Sequence, residues 1–180
     1  MKQQKGVTLV ELMITVSIVA IILTFVGPGI QSILIKNDII AEINETSSLI
    51  QYARHHAIDE QAQVVVCPST DYSVCSKNWN SPKIVFIDKN DNAIRDTTEE
   101  LLVTIGATSS TILMTNTTDI IKFTGTGEAN ETTEILLCHK DGKSEYARSL
   151  SVTLQGRVKM SSDSDKNGIY ENASGNTLSC

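Results

Sequence analysis

The sequence lacks the short motifs on which most enzymes depend. It contains no nucleophile elbow, no phosphate-binding glycine loop and no metalloprotease helix. His55 and His56 are neighbours on a predicted helix and therefore point in different directions, while His139 stands alone beside Cys138. We therefore expect a protein that is not an enzyme.

The chain is also short of positive charge. Its 15 Lys and Arg against 21 Asp and Glu give a net charge of −6 over 180 residues. This overall charge argues against binding of nucleic acid through the net charge of the protein. The charge is uneven, because residues 138–160 carry five basic and two acidic side chains, a local +3. The basic side chains of this segment are Lys140, Lys143, Arg148, Arg157 and Lys159.

Charged residues are missing from a long apolar run near the amino terminus. The run extends from Leu12 to Ile30, 19 residues, close to the roughly 20 needed to cross a bilayer. In a secretory signal peptide the small residue of the cleavage site follows the apolar core, whereas here Gly6 precedes it. Cleavage after Gly6 would leave the run in the mature protein. We expect one membrane span, with Lys2 and Lys5 keeping the amino end in the cytoplasm and everything after the span outside it.

Glu11 directly precedes this apolar run. An ionised carboxylate there is costly, so it predicts a partner charge. If the chain is cut after Gly6, the new terminal amine of Val7 would lie near the same depth. The alternative is that Glu11 simply sits among the lipid headgroups.

The pattern of apolar residues predicts an α+β protein. One long helix is expected from about Thr8 to Asp59, bent at Pro28 because proline removes a backbone donor and crowds the preceding turn. Its second half has an apolar face at helical spacing, formed by Ile30, Ile33, Ile40, Ile43, Ile50, Ala53 and Ala57. The predicted parts are a leader (1–6), a membrane and assembly helix (7–30), an amphipathic helix half (31–62) and a β-rich head (63–180).

Short runs rich in β-branched residues predict an antiparallel sheet in the head. Eight strands are expected, with Gln155 and Gly156 as a tight turn between the last two. The expected strands are Gln63–Cys67, Ile84–Asp88, Leu101–Ile105, Ile112–Met114, Ile120–Phe123, Ile135–Cys138, Leu150–Leu154 and Arg157–Met160.

Four cysteines follow the apolar run, on the side of the membrane where disulfides persist. Three pairings are open. We favour Cys67 with Cys75, which are close in sequence, and Cys138 with Cys180, which would tie down the carboxyl terminus. A zinc site is the alternative, although no pair of cysteines has the close spacing typical of zinc ligands.

The segment Lys5-Gly6-Val7-Thr8-Leu9-Val10-Glu11-Leu12 resembles the processing motif of type IV pilins and of type II secretion pseudopilins. The resemblance implies that a prepilin peptidase cuts after Gly6 and methylates the new terminal amine. Glu11 and Pro28 fall at the fifth and twenty-second mature positions, where the family usually has these residues. Val7 departs from the commoner phenylalanine.

The head resembles the GspH/FimT branch of that family, which implies a pilin-like fold. The matching residues are Cys67-Pro68-Ser69, Cys75, Trp79, the run Ile84 to Asn92, Phe123, Gly125, Gly127, Leu137-Cys138, Ser149 to Val152 and Gly156-Arg157-Val158-Lys159. The paired cysteines and the Gly156-Arg157 turn favour a FimT/FimU-like minor type IV pilin over a secretion pseudopilin. The resemblance implies as partners the prepilin peptidase, other minor pilins and the major pilin. It also implies location in the bacterial inner membrane and then in a filament.

DNA is a further candidate partner, since some FimT-like pilins are credited with DNA contact at a turn resembling Gly156 to Lys159. The candidate contacts are Lys140, Lys143, Arg148, Arg157 and Lys159. The alternative is a solvated strand with ordinary basic residues, which the acidic remainder of the head favours. Those pilins carry arginine where this chain has Lys159.

No cofactor is expected with the exception of calcium, for which two loops are weak candidates. Asp163, Asp165, Asn167, Gly168 and Glu171 match the first nine positions of a calcium-loop template, although Ser174 stands where the bidentate glutamate belongs. The alternative is a loop of Asx turns. The segment from Asp88 to Glu99 matches less well, because Ala93 replaces the glycine of the sharp turn.

Overall fold

The structure is a computed structural model that describes residues 6–180, apart from the side chains of residues 25–28. It divides into two compact units, Met1–Asn37 and Asp38–Cys180. The expectations about Lys2 and Lys5 lie outside the described residues, while the expected bend at Pro28 falls between two helix parts, Leu9–Thr24 and Gly29–Glu60, that are bent by 44°. One helix, α1, runs from Leu9 to Glu60, within one residue of the prediction at each end.

The described part of the first unit is an apolar helix with little cover. Every side chain from Val7 to Thr24 is exposed. Hydroxyl side chains on this helix donate to backbone carbonyl oxygens of the preceding turn. Ser17 Oγ, for example, donates to the Met13 carbonyl oxygen at 2.7 Å, so its hydroxyl is already paired within the helix. No single helix among the described residues is long and apolar enough to cross a membrane. The bent pair Leu9–Thr24 and Gly29–Glu60 meets that requirement jointly, by length and composition.

In the second unit, α1 buries one face against the head. The centre of this face is formed by Ile39, Ile43, Thr46, Ile50, Ala53 and Ala57, which alternate in steps of four and three. Ser47 and Leu49 are buried beside it. The expectation that Ile30, Ile33 and Ile40 belong to this face is wrong, because they are 49%, 58% and 43% exposed. Ile39 is buried where Ile40 was expected to be. Thr46 fits the face because its hydroxyl donates to the Glu42 carbonyl oxygen at 2.9 Å, which satisfies the buried polar group.

Within residues 6–180, eight antiparallel strands form two four-stranded sheets, and all eight correspond to predicted runs. The strands are β1 (Val64–Pro68), β2 (Lys83–Ile87), β3 (Leu101–Ile105), β4 (Ile112–Asn116), β5 (Ile121–Phe123), β6 (Thr133–His139), β7 (Arg148–Val152) and β8 (Val158–Met160). One sheet has the order β3-β2-β1-β5 and the other β4-β6-β7-β8. The α+β prediction is confirmed.

A buried core and two disulfides stabilise the head. β1 and β2 are buried along their whole length, with Val65, Cys67, Ile84 and Phe86 packed in one cluster. Such burial on both faces explains why these strands read as continuous apolar runs.

The favoured disulfides form, Cys67 with Cys75 and Cys138 with Cys180. No thiolate remains for zinc, because all four cysteines are bonded.

Candidate functional site

The start of α1 carries the residues expected to guide processing and assembly. Thr8 Oγ1 accepts a hydrogen bond from the Glu11 backbone N–H at 3.3 Å, and the Thr8 carbonyl accepts from Leu12 N–H at 3.1 Å. Thr8 is therefore the amino-terminal cap, and Thr-x-x-Glu is the pattern of a capping box. Glu11 is exposed in the first turn, where a negative charge is favoured by the helix dipole.

Gly6 directly precedes this cap. It is exposed, and a Cβ atom built on it would meet nothing within 4 Å. Packing within the chain therefore gives no reason for a glycine at this position.

A second feature joins the helix to two turns of the head. Arg54 Nε donates to the Gly127 carbonyl oxygen at 2.9 Å, and a terminal guanidinium nitrogen donates to the Gln155 carbonyl oxygen at 3.1 Å. Gly156 has a φ of +71°, and a Cβ atom there would collide with Gly127 O and with Arg54. These two hydrogen bonds form what we call the Arg54 clamp, and the close approach of Gly127 O and Arg54 explains the glycine at 156. Gly127 has a φ of +80°, and a Cβ atom there would lie 2.6 Å from Ile58 Cδ1.

The predicted turn at Gln155-Gly156 is present. The Gly156 N–H donates to the Thr153 carbonyl oxygen at 2.8 Å, and the Thr153 N–H donates to the Arg157 carbonyl oxygen at 3.0 Å. Sequence reasoning missed Arg54. The available signal was a lone basic residue next to the small residue Ala53 on the predicted apolar face.

The structure splits the five candidate basic residues into groups. Arg157 and Lys159 are exposed and line a shallow concave surface with Thr153, Gln155 and Val158. Lys140 and Lys143 are also exposed, but they lie in the connection between β6 and β7.

Arg148 does not belong to the exposed set, which corrects the sequence expectation. The residue is only 8% exposed, and its guanidinium carbon lies 3.4 Å from the centroid of the Tyr170 ring. It donates to the carbonyl oxygens of Ala147, at 2.7 Å, and Glu145. Burial lowers the pKa of Arg148, while Tyr170 and Asp163 act in the opposite direction. Its charge is thus used inside the head, in a cation–π contact.

The loop after β8 brings acidic groups together. Carboxylate oxygens of Asp163, Asp165 and Glu171 all lie within 4.8 Å of one another. Gly168, at the sixth loop position, has a φ of +88°, and its N–H donates to Asp163 Oδ2 at 3.1 Å. We call residues 163–171 the acidic loop.

The competing loop from Asp88 to Glu99 is built differently. Glu99 accepts from the backbone N–H groups of Lys89, at 2.8 Å, and Asp96, at 3.0 Å. Asp88 accepts from the N–H groups of Asn92 and Ala93. Both oxygens of each buried carboxylate are therefore paired with protein donors, and this segment has the geometry of a polar turn.

The geometry defines a class of protein with an exposed apolar helix at the amino end and a disulfide-bonded, β-rich head. Comparison with known families gives two matches. The family described as type II transport protein GspH matches residues 42–156, and the prokaryotic N-terminal methylation motif matches residues 1–27. The first match covers well over half of the chain, and the chain belongs to the GspH family of minor pilins and pseudopilins.

Solved structures share the fold. The type IV minor pilin FimU of Pseudomonas aeruginosa is 18% identical, with a TM-score of 0.56 over 69% of this chain and 88% of that one. The minor pseudopilin EpsH from the type 2 secretion system of Vibrio cholerae is 7% identical, with a TM-score of 0.52 over 68% of this chain and 95% of that one. No curated protein sequence matches the chain.

These matches confirm the predicted family and pilin-like fold. The matching family is described as a type II transport protein, and the two solved structures that share its fold are a minor pilin and a minor pseudopilin. The methylation motif is that of a processed subunit of the cell envelope.

Proposed function

We propose that the chain is a minor type IV pilin that is cleaved between Gly6 and Val7 and then enters a pilus. The observation that carries this proposal is the helix start. An exposed glycine, with no packing reason to be one, precedes a capped apolar helix whose first turn holds the acidic Glu11. A peptidase needs such an accessible site, and a helix bundle needs such an uncovered apolar surface.

Assembly would bring Glu11 to the methylated amine of Val7 on a neighbouring subunit. Two unit charges 4 Å apart attract by about 4 kcal/mol at an effective dielectric constant of about 20. Either charge alone in an apolar layer has no such compensation and keeps its desolvation cost. The pairing would therefore favour one register between neighbouring helices. The partners in this proposal are the prepilin peptidase, other minor pilins and the major pilin.

Before assembly, the helix would hold the protein in the bacterial inner membrane. The apolar length from Leu12 to Ile30 supports a single span with the head on the periplasmic side. After cleavage the same helix would pack among other pilin helices, so that the head lies on the filament surface or at its tip.

The rival assignment is a minor pseudopilin of type II secretion, which the description of the matching family favours. We prefer the pilus because the two disulfides and the Gly156-Arg157 turn resemble those of FimT/FimU-like minor pilins. Deletion of the gene decides between the two. Loss of surface pili and twitching with normal exoprotein secretion supports a pilin, whereas intact pili with blocked secretion supports a pseudopilin.

A second candidate function is DNA contact during DNA uptake. It is favoured by the exposed Arg157 and Lys159 side by side on the concave surface at the β7–β8 turn. Two cations at one turn are well placed for neighbouring phosphates, although Lys159 also donates to the Ala173 carbonyl oxygen at 3.2 Å. Gel shift of the full chain in detergent tests this function, and no shift at low salt rules it out.

A further inference from the structure

The acidic loop contains a buried carboxylate whose charge is not compensated. Glu171 is 8% exposed, although a carboxylate is among the costliest groups to bury without partners. One of its oxygens, Oε2, accepts from the Ser164 backbone N–H at 2.8 Å. The other oxygen, Oε1, is shielded from solvent and has no hydrogen-bond partner among the described residues.

A second oxygen in the same loop is in the same situation. Asp163 Oδ2 accepts from the Gly168 N–H, while Asp163 Oδ1 is buried and without a partner among the described residues. Together with a carboxylate oxygen of Asp165, the ligand atoms of these three residues lie within 4.8 Å of one another. Three carboxylates at that separation repel each other, and in residues 6–180 no Lys or Arg nitrogen lies within 4.0 Å of them. The charge of Arg148 interacts with Asp163, but the two form no ion pair. A bound cation would reduce the repulsion and would give the two unpartnered oxygens a ligand.

The donor set selects the type of cation. All the groups are hard oxygen donors, and neither histidine nor free cysteine is present in the loop. Calcium accepts six to eight such oxygens in flexible geometry, whereas magnesium demands a near-ideal octahedron and keeps several of its waters. The left-handed Gly168 at the sixth position also provides the sharp turn that a calcium loop needs.

We propose that the acidic loop binds one calcium ion through the carboxylates of Asp163, Asp165 and Glu171. Asn167 and the main-chain carbonyl of Ile169 complete the set at the fifth and seventh positions of the template. Glu171, at the ninth position, supplies a buried carboxylate, which makes up for Ser174 at the twelfth. The site does not depend on whether the subunit serves a pilus or a secretion system.

Bound calcium would fix the carboxyl-terminal segment of the head. The Ser162 and Glu171 backbones exchange two hydrogen bonds, at 3.1 and 2.9 Å, which close the loop, and Cys180 ties the end of the segment to β6. A site with three carboxylates on such a loop falls in the affinity class of extracellular modules, with Kd roughly 10⁻⁴–10⁻³ M. Such a site would fill outside the cell and empty where calcium is scarce.

The test uses the full processed chain in detergent. Calcium is titrated calorimetrically, and Tm is recorded with and without calcium at roughly ten times the measured Kd. We expect one site per chain and a Tm rise of roughly 3–6 °C, with a clearly smaller rise in magnesium at the same concentration. Absence of saturable calcium binding up to about 10 mM overturns the proposal, since an extracellular site must fill below that concentration.

The decisive variant is Glu171→Gln, which keeps the size of the side chain and an oxygen for the Ser164 N–H. We expect it to abolish the calcium-dependent rise in Tm while leaving the calcium-free Tm unchanged or higher, because carboxylate repulsion is removed. A purely structural glutamate would instead lower the calcium-free Tm. A Glu171→Gln protein with the full calcium response contradicts the proposal.

Two further variants keep the test independent of any folding defect. Asp165→Asn changes an exposed ligand, and we expect at least a tenfold loss of calcium affinity with the fold intact. Glu100→Gln is the matched control, because it removes one exposed carboxylate outside the loop and should leave calcium affinity unchanged. Equal affinity of the Asp165→Asn and Glu100→Gln proteins overturns the assignment of the ligands.

Discussion

Arg54 and Gly127 are joined by a 2.9 Å hydrogen bond between a helix side chain and a turn carbonyl, 73 positions apart in the sequence. The same guanidinium donates to the Gln155 carbonyl oxygen at 3.1 Å. One side chain thus holds two turns of the head on α1. Because both acceptors are backbone atoms, the contact depends on the path of the chain rather than on the identity of the acceptor side chains.

Arg54→Ala should therefore destabilise the head. Loss of two hydrogen bonds from a charged donor costs roughly 2–4 kcal/mol in the free energy of unfolding. Chemical denaturation of the detergent-solubilised chain measures this change. Arg157→Ala, which removes an exposed arginine from the neighbouring turn, should cost less than about 0.5 kcal/mol. Equal losses in the two variants would contradict the clamp.

Gly156→Ala should be more damaging than the same change at Gly142. Both glycines have left-handed φ values, +71° and +69°, so both changes carry a similar backbone cost of about 1 kcal/mol. Only at Gly156 would the new Cβ strike Gly127 O and Arg54, while at Gly142 it meets nothing within 4 Å. We expect the Gly156 variant to lose at least about 2 kcal/mol more, by the same denaturation measurement. Similar stabilities would show that the collision is relieved.

Lys83 and Glu42 form a buried ion pair whose strength should depend on pH. The Lys83 side chain is fully buried, its Nζ lies 3.7 Å from Glu42 Oε1, and it donates to Thr108 Oγ1 at 2.6 Å. Burial lowers the pKa of Lys83, and the charge of Glu42 opposes this shift. Glu42→Gln leaves the ammonium with less compensation and should cost roughly 3 kcal/mol at pH 7.

The sign of the pH dependence follows from the lowered pKa. Between the folded pKa of Lys83 and its usual 10.5, the unfolded chain binds more protons, so stability rises with pH in that window. Removing the Glu42 charge lowers the folded pKa further and widens the window. The stability deficit of Glu42→Gln should therefore shrink between pH 7 and pH 10, as measured by urea unfolding. A deficit that grows with pH would contradict the charge assignment of the pair.

DNA binding, if it occurs at the β7–β8 turn, should depend on Arg157 and Lys159 together. The double alanine variant should bind duplex DNA more weakly, and the slope of log K against log salt should fall by about 1.8, or 0.9 for each lost phosphate contact. Lys89→Ala, an exposed lysine elsewhere on the head, is the control and should change neither quantity. An unchanged slope in the double variant would place any DNA contact elsewhere.

The architecture was predictable because it follows from periodicity. The eight strands matched β-branched runs bounded by turn residues, and the helix bounds followed from the spacing of apolar residues. The helix face was misplaced at Ile40 because Ile39 and Ile40 lie four and three residues before Ile43, so both fit helical spacing. The face also includes Thr46, whose hydroxyl bonds to its own helix. A pattern of apolar residues alone cannot identify a buried polar residue such as Thr46.

The sites were predictable in composition but not in burial. The basic segment was found by counting charge, yet Arg148 is inside the head because Tyr170, distant in sequence, supplies its stacking partner. The acidic loop was found by its spacing, whereas the unpartnered oxygens of Asp163 and Glu171 emerge only from the fold. The Arg54 clamp escaped prediction because its acceptors are backbone carbonyls, which leave no trace in sequence.

The proposed role of Glu11 requires that its charge be needed for filament assembly. Glu11→Gln is the sharpest variant, since glutamine also suits the third position of a capping box and the helix start is preserved. Glu11→Ala removes both the charge and the box. The direct measurement is the fraction of processed subunit recovered in sheared fibres, at equal cellular levels. Our account predicts that both variants are cleaved at Gly6 but enter fibres at least tenfold less than the unmodified chain. Recovery of Glu11→Gln in fibres at the unmodified level would contradict it.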